Sequence, residues 1–142
     1  MQLRSILLAL VILVLPASTR ADTVTGSDAQ DFARIITAQI EAFRADDAPR
    51  AYSFAAPMIQ RVFPTPDVFM SMVRQGYQPV YRPQSFTFGA SGLDSAGRPT
   101  QLVSIVGPNG KTYEALYTFE RQPDGTWKIA GCRLLETPGL ST

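Results

Sequence analysis

The sequence predicts an α+β domain in which helices pack on one face of a four-stranded antiparallel sheet. Three observations predict it. Residues 83–136 break into four apolar, β-prone runs separated by three turn signals. The residues before them place apolar side chains at helical spacing. The 142 residues are 45% hydrophobic and 18% charged, a globular rather than a disordered composition.

Residues 1–21 read as a secretory signal peptide: Arg4 leads, an apolar run covers 6–15, and Pro16 is followed by small residues ending Thr19-Arg20-Ala21. That run is about half of the ~20 residues a helix needs to span a bilayer. Cleavage after Ala21 is expected, which would leave the protein periplasmic or secreted with no stable membrane anchor. A polar leader then covers 22–27, one helix-plus-sheet domain 28–137, and a short tail 138–142.

Ser27-Asp28-Ala29-Gln30 has the spacing of a capping box, with Ser27 as N-cap of the first helix. At 100° per residue Phe32, Ile35, Ile36, Ile40 and Phe43 share one face, and the helix runs to about Arg44. Gln39 interrupts that face. Two roles are open to it: a polar handle inside a pocket, or a core amide held by a tyrosine hydroxyl or a backbone group. The second is the stronger reading, because buried polar groups are usually paired for structural reasons. Asp47, with Pro49 close behind, opens a shorter second helix. Asp46 and Asp47 together resemble a carboxylate pair, but a cap and a solvated side chain account for them better. Tyr52, Phe54, Met58, Ile59, Val62 and Phe63 follow, interrupted by Pro57. Thr65-Pro66 restarts the chain as a third helix whose apolar face holds Val68, Phe69, Met72, Val73 and Tyr77. Tyr77 and Tyr81 fall at the junction with the sheet, where a cavity mouth would lie.

The first strand, SFTFGASGL, stops at Asp94-Ser95-Ala96-Gly97; the second, TQLVSIVG, stops at Pro108-Asn109-Gly110. In the third, Tyr113, Ala115, Tyr117 and Phe119 alternate with polar residues, the period of a half-buried strand. Pro123-Asp124-Gly125 ends it, and residues 126–135 make the fourth. Short turns impose antiparallel pairing, hence a meander. Trp127 and Ile129 are expected to pack against Phe32, Ile36, Phe43 and Phe69.

The chain offers little conventional catalytic chemistry. It has no histidine, which removes the commonest general base and the Ser-His and Cys-His pairs. No phosphate loop or dinucleotide fingerprint is present, and neither a metal site nor a cofactor is expected. Thirteen basic residues balance 12 acidic ones without clustering, so nucleic acid is not an expected partner. Cys132, the sole cysteine, can form no internal disulfide and reads as a buried thiol in an apolar strand. Arg133 is the one charge on the Trp127 and Ile129 parity of that strand. Unless Gly131 marks a bulge, it shares the parity of Trp127 and reaches a ligand or the Gln39 carbonyl; the alternative, a guanidinium in solvent, is the stronger reading.

Helices followed by a curved meander in about 110 residues resemble the cone of the nuclear transport factor 2-like superfamily. More narrowly, DDAPRAYSFAAPMIQRVFPTPDVFMSMVRQGYQPVYRP followed by DGTWKIAGCRLL resembles the bacterial family called domain of unknown function 4864. The resemblance covers roughly residues 30–135 and implies three helices on the concave face of the sheet. It implies no reaction, since that superfamily hosts both enzymes and binding modules. No catalytic residue is assigned. The expected function is a non-enzymatic module binding a small apolar ligand or a protein partner, with Gln39, Tyr117, Arg133, Tyr52 and Tyr77 as candidate contacts. A small-molecule isomerase or hydrolase and a sheet-mediated structural homodimer are the alternatives.

Overall fold

A computed structural model describes residues 23–137. The expected signal peptide, residues 1–21, and the tail, 138–142, lie outside the described residues. Within them five helices precede the sheet: α1 (Gly26–Arg44), α2 (Ala48–Ser53), α3 (Pro57–Val62), α4 (Pro66–Gly76) and α5 (Gln78–Tyr81). The strands are β1 (Ser85–Leu93), β2 (Pro99–Val106), β3 (Thr112–Arg121) and β4 (Trp127–Glu136), paired antiparallel in the order β1-β2-β3-β4. The architecture is α+β.

The helical half departs from the expected three helices at two prolines. Pro57 splits the expected second helix, because the residue before a proline is pushed out of the helical region. Ala56 accordingly sits at φ −65°, ψ 159°. The extended residues this creates are used: Ala55 forms a parallel bridge with Ile129, the Ala56 N–H donates to Ile129 O, and the Ile129 N–H donates to Phe54 O, both at 2.8 Å. The upper part of the β4 edge is thereby closed. Gln78-Pro79 opens the additional single-turn helix α5.

α1 also starts earlier than expected. Its N-cap is Thr25, not Ser27: Asp28 N–H donates to Thr25 Oγ1 at 3.1 Å and Thr25 N–H donates to Asp28 Oδ2 at 3.0 Å. Both pairs have capping-box spacing, but the Thr25 start puts a carboxylate rather than an amide against the positive end of the helix. Asp47 caps α2 and Thr65 caps α4, as their spacing predicts.

The core lies between α1 and the inner face of the sheet. Phe32 stacks on Phe119 with ring centroids 4.1 Å apart, and Trp127 meets Phe32 edge-on at 5.1 Å. Ile36, Ile40, Val103, Ile105, Ala115 and Ile129 complete the interior around them. Gly97, Gly110 and Gly125 take positive φ at the three hairpins, as the turn chemistry requires.

Each outer pair of strands carries one register shift. Between β1 and β2 it falls between Phe88 and Ser91, where the buried Gln101 amide donates to Gly89 O and Leu102 O. Between β3 and β4 Thr118 pairs with Gly131 while Phe119 pairs with Ile129, so Ala130 is the extra residue of a bulge. A Cβ at Gly131 would stand 2.9 Å from Thr118 Oγ1, so any larger residue there would force that hydroxyl to turn away.

Candidate functional site

Between the helical layer and β3–β4 lies a pocket of about 310 Å³. Gln39 and Phe43 reach it from α1, Ile59 and Phe63 from α3 and its end, and Phe69, Met72, Val73 and Tyr77 from α4 and its end. The sheet contributes Tyr117 and the bulged run Ile129, Ala130, Gly131 and Cys132. Among the described residues this lining carries no charged side chain. It offers an apolar wall, two phenols, one amide and one thiol, groups that bind through dispersion and hydrogen bonds.

The bulge decides which β4 side chains face the pocket. Beyond Ala130 the inward parity passes to Cys132 and Leu134, which pack on the core. Arg133 is turned outward and exposed, pairing across the strand with the outward Leu116, and it does not line the pocket. The parity expected without a bulge is corrected by the one extra residue.

Gln39, Tyr77 and Tyr117 all reach the pocket, and each hydroxyl or amide is placed differently. Gln39 is 4% exposed, and its Nε2 donates to Ala51 O at 3.1 Å. That carbonyl belongs to the last turn of α2, where intrahelical donors run out, so Gln39 ties α1 to the end of α2. The tie is to a backbone group and not to a tyrosine. Tyr77 donates to Cys132 O at 3.1 Å, joining the helical layer to β4, and burial raises its pKa. Tyr117 is 1% exposed, and among the described residues its hydroxyl meets no oxygen or nitrogen partner, only the thiol of Cys132.

Tyr117 and Cys132 are cross-strand partners. Desolvation pushes the Tyr117 pKa well above its ordinary value and the Cys132 thiol up to about 12. Both groups are therefore neutral at physiological pH, and Cys132 is a poor nucleophile there.

Tyr52 is not in the lining. Its hydroxyl donates to Gln60 O at 3.1 Å and Phe63 O at 2.7 Å, while Gln60 Nε2 donates back to Tyr52 O at 3.1 Å. The reciprocal clasp holds α3, a helix with no fully buried residue, as one wall of the pocket. Tyr81 also stands apart from the pocket: its hydroxyl donates to Asp46, whose carboxylate is met by Arg82 at 3.1 Å and Arg74 at 3.5 Å. Asp46 holds this cluster from the left-handed region, φ 51°.

Cys132, Met72 and Ile59 were not among the site residues expected from sequence. Their signal was confounded with that of core packing, since pocket and core use the same apolar side chains; only the possible bulge at Gly131 pointed to Cys132 facing inward.

The fold and the pocket define an α+β domain with an apolar hollow between a helical layer and an antiparallel sheet. The chain belongs to the family described as domain of unknown function (DUF4864), which it matches over residues 25–142. No curated protein and no solved structure matches the chain. No helix among the described residues is long and apolar enough to cross a membrane.

Proposed function

We propose that this protein is a small-molecule binding domain acting outside the cytoplasm, built on a cone of the nuclear transport factor 2-like kind and taking a mainly apolar ligand between helices and sheet. One observation carries the reading: an apolar pocket of about 310 Å³ has in its wall a buried tyrosine hydroxyl that, among the described residues, meets no oxygen or nitrogen partner, only the weakly accepting Cys132 thiol. A dry engineered cavity of roughly 150 Å³ holds benzene, so this pocket has room for a molecule about twice as large. An unpaired buried hydroxyl costs about 1–3 kcal/mol, a penalty that a bound polar atom would remove. Export rests on the leader pattern of residues 1–21.

The experiment is a melting curve of the purified protein with and without fractions of a periplasmic small-molecule extract, repeated on Val73→Phe. Val73 lines the pocket, and the larger side chain occupies it. At least one fraction should raise the wild-type melting temperature and leave the variant unmoved. A protein that no fraction shifts, or a shift that survives Val73→Phe, removes the reading. Mass spectrometry of the exported species should find a chain beginning at Asp22, and an intact Met1 terminus would overturn the export.

A further inference from the structure

We infer that the ligand of this pocket is uncharged and carries a hydrogen-bond-accepting oxygen, a carbonyl oxygen above all, which the Tyr117 hydroxyl engages. The inference rests on the pocket being a ligand site, as proposed above, and names the chemistry that the site selects.

The chain has five tyrosines. Four have their hydroxyls engaged: Tyr52 donates to Gln60 and Phe63, Tyr77 to Cys132, Tyr81 to Asp46, and Tyr113 accepts from Asn109. The fifth, Tyr117, is buried in the pocket wall, and among the described residues its hydroxyl meets no oxygen or nitrogen partner, only the Cys132 thiol. Buried polar groups in folded proteins are nearly always satisfied, so an orphan at a pocket wall marks where an incoming atom is expected. Its cross-strand neighbour is a poor substitute: the Cys132 thiol can take the phenol's hydrogen, a contact that lowers the thiol's own pKa, but a neutral thiol is a weak acceptor that a carbonyl oxygen outcompetes.

The same surroundings decide between donor and acceptor. Desolvation holds the phenol protonated, so it presents an O–H that seeks an acceptor. They also decide charge. A carboxylate would be the strongest acceptor, but the pocket lining has no cation to replace its lost hydration, and burying an uncompensated charge costs far more than one hydrogen bond returns. A neutral carbonyl needs only the single O–H, while Phe43, Phe69, Met72, Val73 and Ile129 cover the rest of the molecule.

Three probes of nearly the same planar shape test this: acetophenone, α-methylstyrene, in which a methylene replaces the carbonyl oxygen, and benzoate. Each is titrated into the purified protein and followed by NMR shifts of pocket residues. Acetophenone should bind about tenfold tighter than α-methylstyrene, the worth of one buried hydrogen bond. Benzoate should bind more weakly than either. In Tyr117→Phe, which deletes only the orphan oxygen, the acetophenone advantage should vanish while α-methylstyrene binds as before. Equal binding of acetophenone and α-methylstyrene to the wild type would overturn the acceptor and leave the apolar pocket standing. Tightest binding by benzoate would overturn the neutral ligand. If no probe binds, the pocket reading fails along with the inference. The wild-type comparison stands alone should the variant not fold.

Discussion

The hydroxyl of Tyr77, at the end of α4, donates to the main-chain carbonyl of Cys132 on β4 at 3.1 Å, a bond between residues 55 apart in sequence. It joins the helical layer to the sheet where they border the pocket. Tyr77→Phe keeps the ring and removes the bond, so it should cost about 1 kcal/mol in urea melts. A variant as stable as wild type would show that the carbonyl is satisfied without the phenol.

Gln39 makes the second such tie. Gln39→Leu leaves Ala51 O with only the long 3.4 Å bond from the Phe54 N–H. Stability should fall by about 1–3 kcal/mol, the range for stranding a buried partner. If Gln39→Leu instead raised stability, the amide would be a burden borne for binding and not a tie.

Trp127 is half-buried, edge-on to Phe32 and covered by the Arg121 guanidinium at 4.7 Å. Trp127→Ala should therefore cost about 2–4 kcal/mol, below the full cost of emptying a tightly enclosed aromatic site. Phe32→Ala, at a position with 0% exposure, should cost more. Equal losses in denaturant melts would mean the two rings share the interior equally.

Asp46 governs part of the acid response. Hydrogen bonding from Tyr81, aided by Arg82 and Arg74, lowers its carboxyl below the ordinary value of 3.8. A carboxyl held lower in the folded than in the unfolded chain contributes stability that is fully present above that ordinary value and lost as pH falls through the folded one. Asp28, Asp94 and Asp124 are shifted in the same direction. Stability should thus be level between about pH 5 and about pH 8, decline below about pH 4, and decline again above about pH 9, where the unfolded chain gives up the protons that burial holds on Cys132 and Tyr117. Asp46→Asn, whose side chain accepts the left-handed backbone, should decline less steeply. An unchanged acid slope would show that the cluster contributes nothing.

Much of this protein was legible in its sequence because the information is local. Period-two alternation in Tyr113, Ala115, Tyr117 and Phe119, and turn formers such as Asn109-Gly110, set the strands and hairpins within a few residues of themselves. The inward positions of Gln39 and Tyr117 followed from helix and strand periodicity in the same way. What periodicity cannot carry is a change of phase. One extra residue, Ala130, turned Arg133 out to solvent and brought Cys132 beside Tyr117, and that bulge belongs to a pairing between two strands rather than to either alone. Proline at position 57 announced a break, but only the tertiary structure gave the freed residues Ala55 and Ala56 an edge at Ile129 to pair with. The pocket was likewise decided in three dimensions, because an apolar side chain at its wall and one in the packed core have the same signature in sequence, and only the arrangement of helices over the sheet determines whether the space between them is filled.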